Sequence, residues 1–265
     1  MGSGLIGIGL ACFNRQVTKG YVFSMSRVFS FISVDKTHQG NVRSLNEDAL
    51  LSRPDVGLWV VADGMGGHEA GEVASQMIVS DLESLPGRAY VSDLVDDVED
   101  TLLFVNQKLR MHSAEKLNGL TVGSTVACLI LKEAIGVVLW VGDSRLYRLR
   151  GVQFEQLTKD HSEVQAQIDR GELTEAQAEH SSIKNMLSRA IGAFDELDVD
   201  VNAFPINRDD LFLLCSDGLY NELSVCELEQ ILVTEKLNKI SDKLMNECLS
   251  KEAKDNVSFI IVKVQ

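Results

Sequence analysis

Apolar residues recur along this chain in two periods. Residues 29–35 alternate, while 57–62, 124–131, 135–141, 145–150, 211–215 and 257–264 are short, largely apolar runs. Their lengths predict strands, the alternating one half-buried and the continuous ones covered on both faces. Residues 40–48 read as a loop entering another strand at 49–52. Elsewhere the period is helical. The stretch 69–85 carries Val73, Met77, Ile78 and Leu82 at helical spacing, and Pro86-Gly87 ends it. Ser92 is the expected cap of a second helix reaching Leu117, with Leu94, Val98, Leu102, Val105 and Leu109 on its apolar stripe. Two more helices are expected at 224–235 and 240–249. The runs between 124 and 150, joined by short turns, predict an antiparallel meander. Strands, a helix pair, strands, a helix pair and a closing strand imply two packed sheets with helices outside.

The segment 161–180 breaks this pattern. It is polar, rich in glutamine and poor in core residues. It reads equally as a surface helical hairpin or as a flap beside a site.

Three prolines in 265 residues, and no Ser/Gly-rich or charge-block linker, imply one domain. Residues 1–26 stand apart from it. They open MGSGLIGIGL before Ala11-Cys12, without the basic residues of a lipoprotein signal, and Ile6 occupies the position that myristoylation needs as Ser or Thr. The expectation is a vector scar or mis-start, with Met25 as an alternative start and the domain at 27–265. No run of eighteen uncharged apolar residues predicts a spanning helix. The net charge of −14 disfavours nucleic acid and anionic membranes as partners. Five cysteines occur without a C-x-x-C pair, which predicts reduced thiols in a cytoplasmic protein. None is followed six residues later by arginine, so a cysteine-nucleophile phosphatase loop is absent.

Candidate chemistry sits where the strands end. Asp63 follows VVA, Asp143 follows LWVG, Asp217 follows LLCS, and Asp255 precedes NVSFIIV. Acidic groups at buried strand ends are costly unless a cation holds them. Oxygen donors of this kind suit Mg²⁺ or Mn²⁺. After Asp63 come Gly64, Gly66 and Gly67, which permit close backbone approach to an ion or anion, but no G-K-[ST] follows, so a P-loop is rejected.

Taken in order, Arg43-Ser44-Leu45-Asn46-Glu47-Asp48, Ala62-Asp63-Gly64-Met65-Gly66-Gly67-His68, Gly123-Ser124-Thr125, Gly142-Asp143-Ser144-Arg145, Leu187-Ser188-Arg189-Ala190-Ile191-Gly192, Ser216-Asp217-Gly218 and Asp255-Asn256 form one pattern. In it the chain resembles the PPM-type metal-dependent serine/threonine protein phosphatases (protein phosphatase type 2C), in their compact bacterial form. The resemblance spans 29–265. It implies an α+β fold, a four-layer α-β-β-α sandwich of two antiparallel sheets flanked by helices, with a flap at 160–186. It implies hydrolysis of phosphoserine and phosphothreonine on proteins by water activated at two Mn²⁺ or Mg²⁺ ions. Asp63 would bridge both ions, the Gly64 carbonyl would bind one, and Asp217 and Asp255 would complete the other. Asp143 would hold a third, weaker ion. Arg43 would bind the substrate phosphate, with Glu47 and Asp48 behind the ligands. Partners would be phosphorylated proteins and a cognate serine/threonine kinase, and the protein would be a monomer.

The pattern departs from many relatives at Met65, where others carry a histidine proposed as general acid. His68 lies three residues on, and His38, His112, His161 and His180 show no zinc-site spacing. The rival readings are a phosphatase-fold regulatory or binding module and a different metal-dependent phosphoester hydrolase.

Overall fold

The computed structural model describes residues 29–66, 70–178, 181, 183–184, 186–234 and 236–265. The 1–26 segment with Cys12 and Met25, and also Gly67, His68 and His180, lie outside the described residues.

The chain runs β1 (Phe31–His38), β2 (Asp48–Arg53), β3 (Leu58–Gly66), α1 (Ala70–Glu83), α2 (Val91–Lys116), β4 (Val122–Ser124), β5 (Val126–Lys132), β6 (Ile135–Val141), β7 (Arg145–Arg150) and β8 (Gln153–Gln156). It continues with α3 (Glu163–Asp169), α4 (Glu175–Ala178), β9 (Asp200–Pro205), β10 (Leu211–Cys215), α5 (Asp217–Tyr220), α6 (Val225–Thr234), α7 (Leu237–Leu249) and β11 (Val257–Val264). One sheet has the order β1-β11-β10-β7-β8. The other is β2-β3-β5-β6-β9, with β4 paired to the end of β3. Every pairing between neighbouring strands is antiparallel.

Strand periodicity divides the core into three. Trp59, Val61, Leu129, Trp140, Phe212, Leu214 and Ile260 point between the sheets. Their neighbours Leu58, Val60, Cys128, Ile130 and Leu139 point outward onto α1 and α2. Leu213, Cys215, Phe259 and Ile261 point the opposite way, onto α6 and α7. Both faces of the central strands are covered, which is why they read as continuous apolar runs. Each fully buried aliphatic or aromatic side chain contributes about 1.5–3 kcal/mol. Four layers result, as the resemblance implied.

The structure corrects the sequence reading in four places. β3 does not end at Asp63 but continues to Gly66, because Gly64–Gly66 pair with β4. On α1 the buried face is Ala74, Ile78, Val79 and Leu82, whereas Val73 is exposed. On α2 the predicted stripe is fully buried, but Tyr90 occupies the cap position and Ser92 lies inside the first turn. The meander is broken as well. β5 and β6 pair, but β7 leaves them for β10 in the other sheet. The chain crosses between sheets at Gly142-Asp143. Gly142 has φ +101, and a Cβ there would meet the Thr125 Cβ at 2.6 Å. Three strands, β4, β8 and β9, carried too little apolar pattern to be predicted.

Residues 161–178 form a helical hairpin of α3 and α4. Its base is fastened by a bridge between Ser162 and Leu187, and the Ser162 hydroxyl caps α3 by accepting from the Gln165 N–H.

Candidate active site

A cleft of about 630 Å³ opens at one end of the two sheets. Arg43, Glu47, Asp63, Asp143, Asp217 and Asp255 line it, with Gly64 and Met65. Asp48 lies behind them, buried. The structure thus brings all the sequence-predicted site residues within the described chain to one place, from five separate stretches.

Each carboxylate is delivered by a different device. Asp48 and Asp63 are directly opposed partners on β2 and β3. The Asp63 main chain is held by Thr125 and Ser124. Its carbonyl accepts from the Thr125 N–H at 2.8 Å and from the Ser124 hydroxyl at 2.9 Å. Thr125 Oγ1 then shares a 2.7 Å hydrogen bond with Ser144 Oγ, tying β3 to the crossing that carries Asp143. Tyr220 donates its hydroxyl to the Asp143 carbonyl at 3.0 Å. Arg145 lies 3.6 Å over the Tyr220 ring and pairs with Asp160 at 2.6 Å. Asp217 opens α5 directly after β10, and Asp255 precedes β11.

Asn256 joins these parts, and its role was not legible in the sequence. Its Oδ1 accepts from the Glu47 N–H at 2.8 Å, and its Nδ2 donates to the carbonyls of Leu45 at 2.8 Å and Gln39 at 3.0 Å. One buried amide therefore sets the loop that carries Arg43 and Glu47 against Asp255. Gly218 is needed here too, since a Cβ would lie 2.0 Å from the Asn256 carbonyl oxygen. Gly64 owes its identity to the start of α1, because a Cβ would lie 2.0 Å from the Gly71 carbonyl oxygen.

Burial and, after it, crowding of like charge shape the electrostatics. Burial pushes Asp48 up to about 7, with Asp217 and Asp255 adding to it and the Ser258 and Ser216 hydroxyls opposing. Asp63 keeps part of its surface open to the cleft. It is nevertheless raised well above the usual range by enclosure and by the charges of Asp48, Asp217, Asp143 and Asp255. Asp143 rises to about 7 through burial and the charges of Asp217 and Asp160, and Asp217 rises to about 6 through burial and Asp255. Such groups favour whatever neutralises them, a proton or a cation.

Asp48 Oδ2 accepts from the Ser216 hydroxyl at 2.8 Å, while its Oδ1 is buried with no hydrogen-bond partner. Ser258 is near, but its hydroxyl is engaged with Thr37 Oγ1 at 2.7 Å. Arg43 donates to Asp255 Oδ2 at 2.8 Å, and Asn221 donates to Asp217 Oδ2 at 3.0 Å. Among the described residues, no three His, Cys, Asp or Glu side chains are gathered tightly enough to hold a metal ion as they stand. The carboxylates share a cleft but remain apart, two of them turned to protein partners. Their chemistry still fits hard divalent cations: the donors are all oxygen, they carry excess negative charge, and a buried carboxylate oxygen lacks a partner.

The described residues that line the cleft include no cysteine and no histidine. Cys128, Cys215 and Cys248 are buried and free, and Cys226 is exposed and free. His161 is buried away from the cleft lining. Its Nδ1 accepts from the Gly142 N–H at 3.1 Å and its Nε2 faces Asp200 at 3.2 Å. Among the described residues, no helix is long and apolar enough to cross a membrane.

Comparison with known proteins agrees with this geometry. The family model for protein phosphatase 2C matches residues 21–257. The serine/threonine phosphatase Stp of Listeria monocytogenes serotype 4b (strain F2365) is 32% identical over 236 residues, covering 86% of this chain and 94% of that one. A solved structure described as PppA, a key regulatory component of T6SS in Pseudomonas aeruginosa, is 36% identical with a TM-score of 0.83, over 89% of this chain and 98% of that one. The catalytic domain of the serine/threonine protein phosphatase PstP, solved in complex with two manganese ions, is 27% identical with a TM-score of 0.81, over 89% and 99%. On these matches and this fold, the chain belongs to the protein phosphatase 2C family and is a metal-dependent serine/threonine protein phosphatase.

Proposed function

We propose that the acidic cleft is the catalytic centre and that the chain opposes a serine/threonine kinase on shared protein targets. The observation that carries this is the convergence of Asp63, Asp143, Asp217 and Asp255 from both sheets on one cleft that also holds Arg43. In this reading Asp63, the Gly64 carbonyl, Asp217 and Asp255 hold two Mn²⁺ or Mg²⁺ ions, and Asp143 holds a third. The two-manganese complex of PstP and the all-oxygen donor set support the assignment. The catalytic unit is residues 27–265, with the hairpin as its flap, acting as a monomer in the cytoplasm.

Bound divalent ions would supply charge neutralisation for the phosphoryl oxygens and a more acidic water. The chain supplies the rest. Arg43 presents a planar guanidinium whose fork matches two phosphate oxygens. Glu47 and Asp48 add negative charge behind the ligands, and Asp48 is anchored by Ser216. Asn256 keeps the Arg43 loop in register with Asp255. No serine or cysteine is required to carry the phosphoryl group.

The decisive experiment compares a phosphothreonine peptide with a cyclic dinucleotide as substrates, with and without Mn²⁺. Peptide hydrolysis that stops on chelation is expected. Turnover of the dinucleotide alone would favour a different phosphoester hydrolase, and activity on neither would favour a binding module.

A further inference from the structure

The cleft lining divides by origin. The strand ends contribute its carboxylates, but the segment after the flap contributes Met186, Leu187, Ala190, Ala193 and Phe194, with Met65 beside them. Met186 is 56% exposed and Phe194 is 46% exposed. Single exposed apolar residues need no explanation. Here two large ones lie on one short segment, lining the same cavity as five carboxylates.

The main chain around Phe194 is tied to its neighbours. Asn106 on α2 is buried, and it clamps the turn from below. Its Oδ1 accepts from the Gly192 N–H at 2.6 Å, and its Nδ2 donates to the Phe194 carbonyl at 3.1 Å. Ile191 and Ser124 exchange two main-chain hydrogen bonds of 3.0 and 2.9 Å. Arg110 pairs with Asp195 just beyond. These bonds hold the main chain that carries Phe194, whose side chain lines the cleft.

We propose that Phe194 and Met186 are specificity-determining residues, receiving an apolar side chain that flanks the phosphorylated residue of the protein substrate. The inference rests on the phosphatase reading and deepens it. A cavity of about 630 Å³ has room for more than a phosphoryl group. Its apolar part is continuous with the part that holds Arg43, so a bound phosphopeptide reaches both. Methionine adapts to differing apolar shapes, and a phenylalanine face offers area at little entropic cost. The favoured substrate class is a phosphothreonine or phosphoserine site with a bulky apolar neighbour.

The test uses the full chain with saturating Mn²⁺ and two phosphothreonine peptides of equal length, differing only in flanking leucine or glycine. The leucine peptide should exceed the glycine peptide by about tenfold in kcat/KM, a discrimination typical of one aliphatic group in an apolar site. Phe194→Ser and Met186→Ser should each bring the leucine-to-glycine ratio toward one, Phe194→Leu should keep part of it, and Val152→Ser, on the exposed β7–β8 turn, should keep it all. Equal rates for leucine and glycine in the wild type, or an unchanged ratio in both serine variants, overturn the inference while leaving the phosphatase reading intact. Failure to hydrolyse either peptide would instead overturn that reading, and this inference with it.

Discussion

The Arg43 guanidinium donates to Asp255 Oδ2 at 2.8 Å, so the arginine expected to bind phosphate is engaged with a carboxylate expected to bind metal. Its charge is further held by Glu47 and Asp217. Both side chains of the pair are substantially exposed, so the pair itself adds little to stability. In the proposed reading a substrate phosphate would compete with Asp255 for Arg43, and a cation at Asp255 would ease that exchange.

Arg43→Ala should retain metal and lose substrate affinity. A charge-assisted hydrogen bond is worth roughly 1.5–3 kcal/mol, which is about ten- to a hundredfold in kcat/KM. Arg43→Lys should recover only part, because an ammonium lacks the two-pronged fork. Metal stoichiometry and steady-state kinetics on one preparation check this, and lost metal with an unchanged KM would assign Arg43 to charge balance instead.

Asp63→Asn, Asp217→Asn and Asp255→Asn should each lower turnover by at least about a hundredfold, since even residues behind metal ligands cost ten- to a hundredfold. The variants should remain folded, because each removes one charge from a repulsive cluster. Excess EDTA should silence the wild type, and Mn²⁺ or Mg²⁺ should restore it. Near-wild-type turnover by Asp217→Asn, measured beside its circular dichroism, is the result that would move the metal site elsewhere.

Asp143→Ala should behave differently from those three. Activity should fall, and its dependence on metal concentration should shift to higher values, while calorimetry still finds two ions bound. An unchanged metal titration argues against a third site at Asp143.

The chelated protein should show a pH-dependent penalty from the acidic cluster. Asp48 and Asp143 are raised to about 7 and Asp217 to about 6, above the ordinary carboxylate value of about 4. Between those values the native state binds more protons than the unfolded chain, so this contribution to stability is complete below about pH 4 and lost as pH rises to about 7. In EDTA, the melting temperature of Asp143→Asn should gain on the wild type steadily across that window. A difference that stays flat with pH would show that Asp143 carries no raised proton affinity.

Asn256→Ala should be destabilising. It strips partners from the Glu47 N–H and from the Leu45 and Gln39 carbonyls, at a cost of roughly 1–3 kcal/mol for each group left buried and unsatisfied. Activity should drop together with melting temperature, since the same amide aligns the Arg43 loop. Wild-type melting temperature in this variant would mean that the loop is held by other contacts.

Much of this protein is determined by local pattern. Leu94, Val98, Leu102, Val105 and Leu109 predict a buried helical stripe because a 3.6-residue period leaves one face to bury. Leu211–Cys215 and Val257–Val264 predict covered strands because only a strand between two layers can bury every side chain. Asp63, Asp143, Asp217 and Asp255 stood out because a carboxylate beside such a strand is costly without a cation. What the pattern could not decide was partnership across the chain. The run to Arg150 looked like one meander, yet Gly142 sends β7 to the opposite sheet, and that crossing carries Asp143 to the cleft. Asn256 stands in the Asp255-Asn256 motif without its partners being legible there, and nothing in the local pattern singles out Phe194. Their roles arise from groups up to about two hundred positions away, Glu47 and Gln39 for the one and Asn106 for the other. Hydrogen-bond satisfaction and charge crowding are properties of proximity in space, so only the packed tertiary structure decides them.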